Sequence, residues 1–313
     1  MINVEFKSIL ELVKAFPNEE TCIAHLEQLR WNGNVVSPFD SISTVYKCAG
    51  NKYKCKNTGK YFNVRTGTLF DNTKIELSKW FLAIYLITSH KKGISSLQLG
   101  RDLNVTQKSA WFMNHRIRNC FGIDHSEEVD SMGNNDVIEL DETFVGGKNK
   151  NRHADKKVKN SQGRSYKDKS PVLGILERNG RVVAIQVPDT KQETIQPIVE
   201  SMVVTGAKVV SDEWSAYNGL YAKYDHRIVN HSCKEYVNIE DRSIHSNTIE
   251  GFWSLLKRGI IGIYHYTSRK HLQKYVDEFA FRYNSRTITE HERFYNMLGA
   301  METRTTYKQL IGI

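Results

Sequence analysis

Apolar positions recur at helical spacing from the start of the chain. Ile9, Leu12, Val13 and Phe16 share one face, and Leu26 and Leu29 mark a second helix after Pro17, so residues 1–31 are expected as two helices. From Trp31 to Leu69 the pattern turns to Gly, Asn and Tyr, the signature of a small, turn-rich β-hairpin module. Helical periodicity returns from Ser78 to Asn119 in three pieces. Ser78 is a candidate cap for KWFLAIYLITSH, Ser95 with Gln98 makes a capping box for SLQLGRDL, and Thr106 caps QKSAWFMNHRIRN after the turn at Asn104-Val105.

Beyond residue 136 the periods mix. VIELDETFVGG alternates apolar and polar and predicts a strand over Val137–Val145 with Asp141 inside it. Residues 171–188 read as two strands around an Asn179-Gly180 turn, a strong hairpin signal. A helix from about Thr194 to Val203 holds Pro197 in its first turn, where a missing N–H is harmless. Strands follow over residues 207–214, ending in Asp212, and over 226–232. HSNTIEGFWSLLKRG, residues 245–259, then forms a helix with an apolar stripe of Ile249, Phe252, Trp253 and Leu256. The last clear helix is SRKHLQKYVDEFAFRYN, with Leu272, Tyr275, Val276, Phe279 and Tyr283 at core spacing.

These elements imply an α/β protein in several parts. Residues 1–70 hold the N-terminal helices and the ribbon-like module, 71–121 a helix-turn-helix domain, and 137–290 the mixed-sheet domain, with 291–313 as a C-terminal tail. Residues 122–136, with five acidic residues, two glycines and no Lys or Arg, read as the linker between the helical and sheet domains.

Charge narrows the partner. A net charge of +9 over 313 residues points to a polyanion, and nucleic acid is expected because the basic residues cluster. Residues 146–170 carry nine Lys or Arg against two Asp, so Lys148, Lys150 and Arg152 are candidates for phosphate contact. The third helix of the 78–119 segment bears Gln107, Lys108, Asn114, His115, Arg116 and Arg118, the composition of a DNA-gripping helix. No apolar run is long enough for a membrane span, the N-terminus has no signal-peptide pattern, and five scattered cysteines suggest no disulfide framework, so a cytoplasmic protein is expected. The ribbon-like module resembles a zinc ribbon but lacks its paired thiols. SPFD stands at 37–40, and Thr58 stands where Cys55 would need a partner, so zinc is not expected.

The acids carry the chemistry. A strand with Asp141, a hairpin, a helix, a strand ending at Asp212, another strand and a helix with Glu250 follow the order of a ribonuclease-H-like fold. That fold brings carboxylates from two strands and one helix together. Two divalent cations about 3.5–4 Å apart clamp the attacking and leaving oxygens of a phosphoryl displacement, and hard Mg²⁺ is satisfied by a few carboxylates and water. An Asp inside an apolar strand is otherwise costly. Glu139 shares the strand face of Asp141 and is the residue most easily confused with it. Asn247 lies one turn before Glu250 on the same helix face, and Lys257 lies two turns after it.

IELDETFVGGK, VVSDEWSAY and HSNTIEGFWSLLKRGIIGIYH closely resemble bacterial insertion-sequence transposases of the DDE superfamily. The branch resembled has an N-terminal zinc ribbon, a helix-turn-helix and an acidic triad followed by lysine. The likeness runs over roughly residues 17–286. It implies an enzyme that cuts DNA at terminal inverted repeats and joins 3′-hydroxyl ends to target DNA with Mg²⁺ or Mn²⁺, working as a homo-oligomer when two ends are paired. By the same resemblance Asp141 and Asp212 are metal ligands, Lys257 meets a phosphate, and the third ligand is either Asn247 or Glu250. The alternatives are a DNA-binding regulator without catalysis and a ribonuclease-H-like nuclease that transfers no strands.

Overall fold

Two short helices begin the chain, α1 (Ile9–Ala15) and α2 (Glu19–Trp31). Each starts where a side chain accepts from a backbone N–H that helix geometry leaves unbonded: Ser8 from Glu11, and Asn18 from Thr21. Strands β1 (Val45–Cys48), β2 (Lys52–Cys55) and β3 (Tyr61–Phe62) follow as an antiparallel sheet in the order β1-β2-β3. Helices α3 (Leu77–Ser89), α4 (Ser96–Leu103) and α5 (Gln107–Phe121) complete this part. Ser95 and Thr106 cap α4 and α5, and Asn104 takes the left-handed conformation between them; the box expected at Ser95 is only half formed, because the Gln98 side chain turns along the helix and donates to Asp102 Oδ1 at 2.7 Å. Ser78 does not cap α3. The helix begins one residue earlier, and Glu19 of α2 supplies the acceptor for Leu77 N at 2.6 Å.

This computed structural model describes residues 4–122, 131–134, 136–147, 153–158, 165, 168–229, 241–242 and 244–312. Most of the expected 122–136 linker and most of the basic segment after β4 lie outside them. The chain divides into two compact units, one of residues 1–123 with 288–313 and the other of residues 124–287.

The second unit contains β4 (Ile138–Val145), β5 (Ser170–Glu177), β6 (Val182–Gln186), α6 (Gln192–Met202), β7 (Lys208–Asp212), β8 (Asp225–Val229), α7 (Asn247–Gly259) and α8 (Leu272–Asn284). Its five strands run in the order β6-β5-β4-β7-β8, antiparallel through β6, β5 and β4 and parallel through β4, β7 and β8. That mixed sheet is the ribonuclease-H-like arrangement expected from the element order. The Asn179-Gly180 turn sits where the hairpin required it, with Asn179 at φ 58°. Helix α6 starts at Gln192, so Pro197 lies inside it rather than in its first turn, and the helix forgoes one backbone bond there.

Side chains alternate across the sheet and build two cores. On one face Ile138 and Leu140 of β4, Leu173 and Ile175 of β5, and Val183 of β6 pack with Ile195 and Val199 of α6. On the other, Val172, Leu176, Val182 and Ala184 meet Ile249, Phe252, Trp253 and Leu256 of α7 and Val276 and Phe279 of α8. Burying each large side chain of the α7 stripe is worth roughly 1.5–3 kcal/mol, which decides which face of that helix turns outward. A π-helical turn, Ile260–Tyr264, continues α7. Among the described residues no helix is long and apolar enough to cross a membrane.

Residues 291–313, expected as a tail, belong to helices of the first unit: α9 (Glu290–Gly299) and α10 (Tyr307–Ile311). Each carries a complete capping box, Thr289 with Glu292 and Thr306 with Gln309. Phe294 of α9 is fully buried against Phe6, Phe16 and Phe81.

Candidate active site

The cleft forms where two parallel strands part. Pairing of β4 with β7 ends at Glu139↔Val210. Continuing that register by two residues brings Asp141 level with Asp212 on the same face, just past the last ladder bond. There a cavity of about 570 Å³ is lined by Asp141, Glu142, Thr143, Phe144, Lys169, Asp212, Glu250, Trp253, Ser254 and Lys257. Asp141, Asp212, Glu250 and Lys257 therefore share one cleft. Asn247 is exposed on the same helix but does not line it.

Asp141 is held at both oxygens. Trp253 Nε1 donates to Oδ2 at 3.0 Å, and the Glu142 backbone N–H donates to Oδ1 at 2.8 Å. Trp253 reaches it because Asp141 faces Gly174 across the β4–β5 ladder and the indole occupies the space a side chain would take. A Cβ at Gly174 would stand 2.5 Å from Trp253 Cζ2. The sequence stripe identified Trp253 as core, and it is core. Its second role, as a hydrogen-bond donor to the carboxylate, was missed; the signal was its position three residues after Glu250.

Burial, then the negative charge of Asp212, and more weakly that of Glu250, push the Asp141 carboxyl up to about 7, against the two hydrogen bonds that lower it. Among the described residues Asp141 forms no salt bridge, and a hard divalent ion is a counter-charge that carboxylates lining one cleft would accept. Among the described residues no three acidic or imidazole side chains already converge on one point, so the donor set fits an ion by chemistry and by shared cleft rather than as a closed cage. Asp212 Oδ1 accepts from the Trp214 N–H at 3.0 Å. On the opposite face of β4 the buried Tyr217 hydroxyl stands beside Glu142, and burial followed by that carboxylate raises its pKa well above the ordinary value.

Glu139, the residue most easily confused with Asp141, has a different task. It is fully buried and accepts from Arg178 Nε at 2.6 Å, Thr248 Oγ1 at 2.9 Å and the Ile249 N–H at 2.9 Å. The last two lie in the first turn of α7, where unbonded N–H groups and the helix dipole favour a carboxylate. Arg178 also donates to His245 O at 2.6 Å, so β4, the hairpin turn and the start of α7 are tied in one knot. That knot positions Glu250 one turn further on.

The expected DNA-gripping face of α5 is only partly present. Gln107 and Lys108 are exposed at the start of the helix. Asn114, His115, Arg116 and Arg118 are buried, at 1%, 0%, 5% and 2% exposure, which corrects the expectation that they face a DNA groove. The reason is visible at Arg116. Its guanidinium donates to the carbonyls of Leu69, Asp71 and Thr305, tying the last turns of α5 to the C-terminal segment that the sequence left as a tail. His115 packs on the Trp111 ring at 4.3 Å between centroids. Lys148, Lys150 and Arg152 lie outside the described residues. Lys169, at the end of that basic segment, lines the cleft and was not singled out.

Comparison with known proteins bears on the family of the chain. The chain is 26% identical over 283 residues to an uncharacterised protein of the transposable element ISH50 from Halobacterium salinarum, covering 86% of this chain and 92% of that one. Among solved structures, a Mos1 strand transfer complex aligns over 72% of this chain and 78% of its own at 10% identity, with a TM-score of 0.27. A pre-cleavage Mos1 transpososome aligns over 68% and 75% at 11% identity, with a TM-score of 0.23. Superpositions this loose add nothing to the sheet topology itself. Residues 134–284, which span the whole sheet, α7 and α8, match the ISXO2-like transposase domain. The chain is similar to the insertion-sequence transposases of the DDE superfamily, and residues 134–284 match their transposase domain.

Proposed function

We propose that this transposase cleaves DNA at the terminal inverted repeats of its element and transfers the freed 3′-hydroxyl ends to target DNA. The observation that carries the reading is the single cleft lined by Asp141, Asp212, Glu250 and Lys257. Asp141, Asp212 and Glu250 would hold Mg²⁺ or Mn²⁺. When bound, two such ions polarise the scissile phosphate and stabilise charge on the attacking and leaving oxygens. Glu250 is favoured over Asn247 as third ligand, because it lines the cleft and a carboxylate suits a hard cation better than an amide. Trp253 holds the Asp141 carboxylate at the cleft wall through its Nε1–H. Lys257 and Lys169, on the cleft lining, offset phosphate charge. Pairing two element ends would call for a homo-oligomer acting on DNA in the cytoplasm.

The test is incubation of the purified chain with labelled end DNA and Mn²⁺. Wild type should nick the ends and form joined products, whereas Asp141→Ala and Asp212→Ala should give neither. Cleavage by Asp141→Ala at the wild-type rate would overturn the site. Cleavage without joined products at any target concentration would reduce the activity to that of a nuclease. End binding by a wild type that never cuts would leave a DNA-binding regulator.

A further inference from the structure

We infer that the outer face of the three-stranded N-terminal sheet is a second DNA-binding surface, built to stack unpaired bases. The register places Tyr46 of β1 opposite Lys54 of β2, and Lys54 opposite Tyr61 of β3, so the three side chains form one row across one face. The other face carries Tyr53 and Phe62, which are buried with Trp31 of α2. The sheet therefore hides one aromatic layer and shows another: Tyr46 is 48% and Tyr61 59% exposed. Lys52 joins the outer row beside Lys54, paired across from Cys48.

Charge selects the occupant. Residues 41–62 contain five lysines, Lys47, Lys52, Lys54, Lys56 and Lys60, and no Asp or Glu. Among the described residues none of the five is in a salt bridge. Two of them lie over aromatic rings instead, Lys54 5.6 Å from the Tyr61 centroid and Lys60 5.1 Å from that of Phe39. Exposed rings interleaved with unpaired lysines combine the two contacts that single strands offer, base faces and phosphates. An intact duplex keeps its bases stacked and would meet the lysines alone, so the rings specify an unpaired strand. The burial of Asn114, His115, Arg116 and Arg118 strengthens the case, because it removes four groups of α5 that would otherwise have met the polyanion.

This inference takes its polyanion from the proposed function, and one binding experiment separates the two. The full chain is titrated with a fluorescent single-stranded oligonucleotide and with a duplex of the same sequence, in EDTA so that nothing is cut. Tyr46→Ala/Tyr61→Ala should weaken single-strand binding by roughly thirtyfold or more while changing duplex binding little, as removal of two stacking rings requires. Tyr46→Phe/Tyr61→Phe should retain wild-type affinity, since the ring and not the hydroxyl stacks. Lys52→Gln/Lys54→Gln should reduce the salt dependence of single-strand binding by about 0.7 in log–log slope for each phosphate left without its lysine. Unchanged single-strand binding in the double alanine variant, equal losses on duplex and single strand, or phenylalanine variants as weak as alanine would each overturn the inference. A wild-type chain that bound neither DNA would instead sink the proposed function.

Discussion

Replacing Asp141 with Asn should stabilise the metal-free protein at high pH and not at low pH. In the fold this carboxyl titrates near 7 against an ordinary 3.8, because burial and Asp212 oppose its charge. A group whose folded pKa is raised contributes stability that is fully present below about pH 4 and is lost as pH rises to about 7. At 1.36 kcal/mol per pH unit the interval from 3.8 to about 7 corresponds to about 4 kcal/mol, an upper bound because the side chain is partly open to water. Asn carries no charge but presents an NH₂ to one of the two donors, Trp253 Nε1 or the Glu142 N–H, which costs about 1–3 kcal/mol at every pH. The stability difference between variant and wild type should therefore move in favour of the variant by about 2–3 kcal/mol between pH 5 and pH 8. Urea unfolding in EDTA, followed by tryptophan fluorescence at both pH values, measures it. Adding Mg²⁺ at pH 8 should recover stability in wild type and not in Asp141→Asn. An offset equal at both pH values would refute the argument, since a merely steric effect has no reason to titrate.

Two other substitutions test how the cleft is assembled. Glu139→Gln removes the buried charge that Arg178 Nε donates to and turns an NH₂ toward one of the α7 donors; breaking a buried pair in this way should cost about 3–5 kcal/mol in urea denaturation. A loss below about 1 kcal/mol would mean that the knot at the start of α7 is dispensable. Gly174→Ala puts a methyl group 2.5 Å from Trp253 Cζ2, so the indole must move away from Asp141. End cleavage should fall with a blue-shifted or quenched Trp253 signal, and a fully active Gly174→Ala with unchanged fluorescence would show that the indole is not needed where it stands.

Much of the sheet unit was legible because its signals are local. The Asn179-Gly180 turn, the alternation around Asp141 and the α7 stripe each fix an element from a short run of consecutive residues. The polar face of α5 was misread for the opposite reason. Its burial depends on Leu69, Asp71 and Thr305, and Thr305 is 189 residues away, so no window along the chain could reveal that Arg116 satisfies carbonyls rather than phosphates. The C-terminal helices were within reach. Thr289 with Glu292 and Thr306 with Gln309 are capping boxes written in the sequence, and Phe294, Met297 and Leu298 follow the first of them at helical spacing. Which of Asn247 and Glu250 lines the cleft turned on a side-chain direction that only the packing of α7 determines.

The tie between Arg116 and Thr305 also orders events during synthesis. Residues 124–287 interrupt the first unit, so that unit leaves the ribosome with α5 in place and its last piece still unmade. At roughly 5–20 residues per second the sheet domain is complete before residues 288–313 appear. Until then the Arg116 guanidinium lacks one of its three carbonyls, and Phe6, Phe16 and Phe81 await Phe294. The helical unit can close only after the sheet domain has been translated, so a nascent chain that stalls early would not present a finished helical unit.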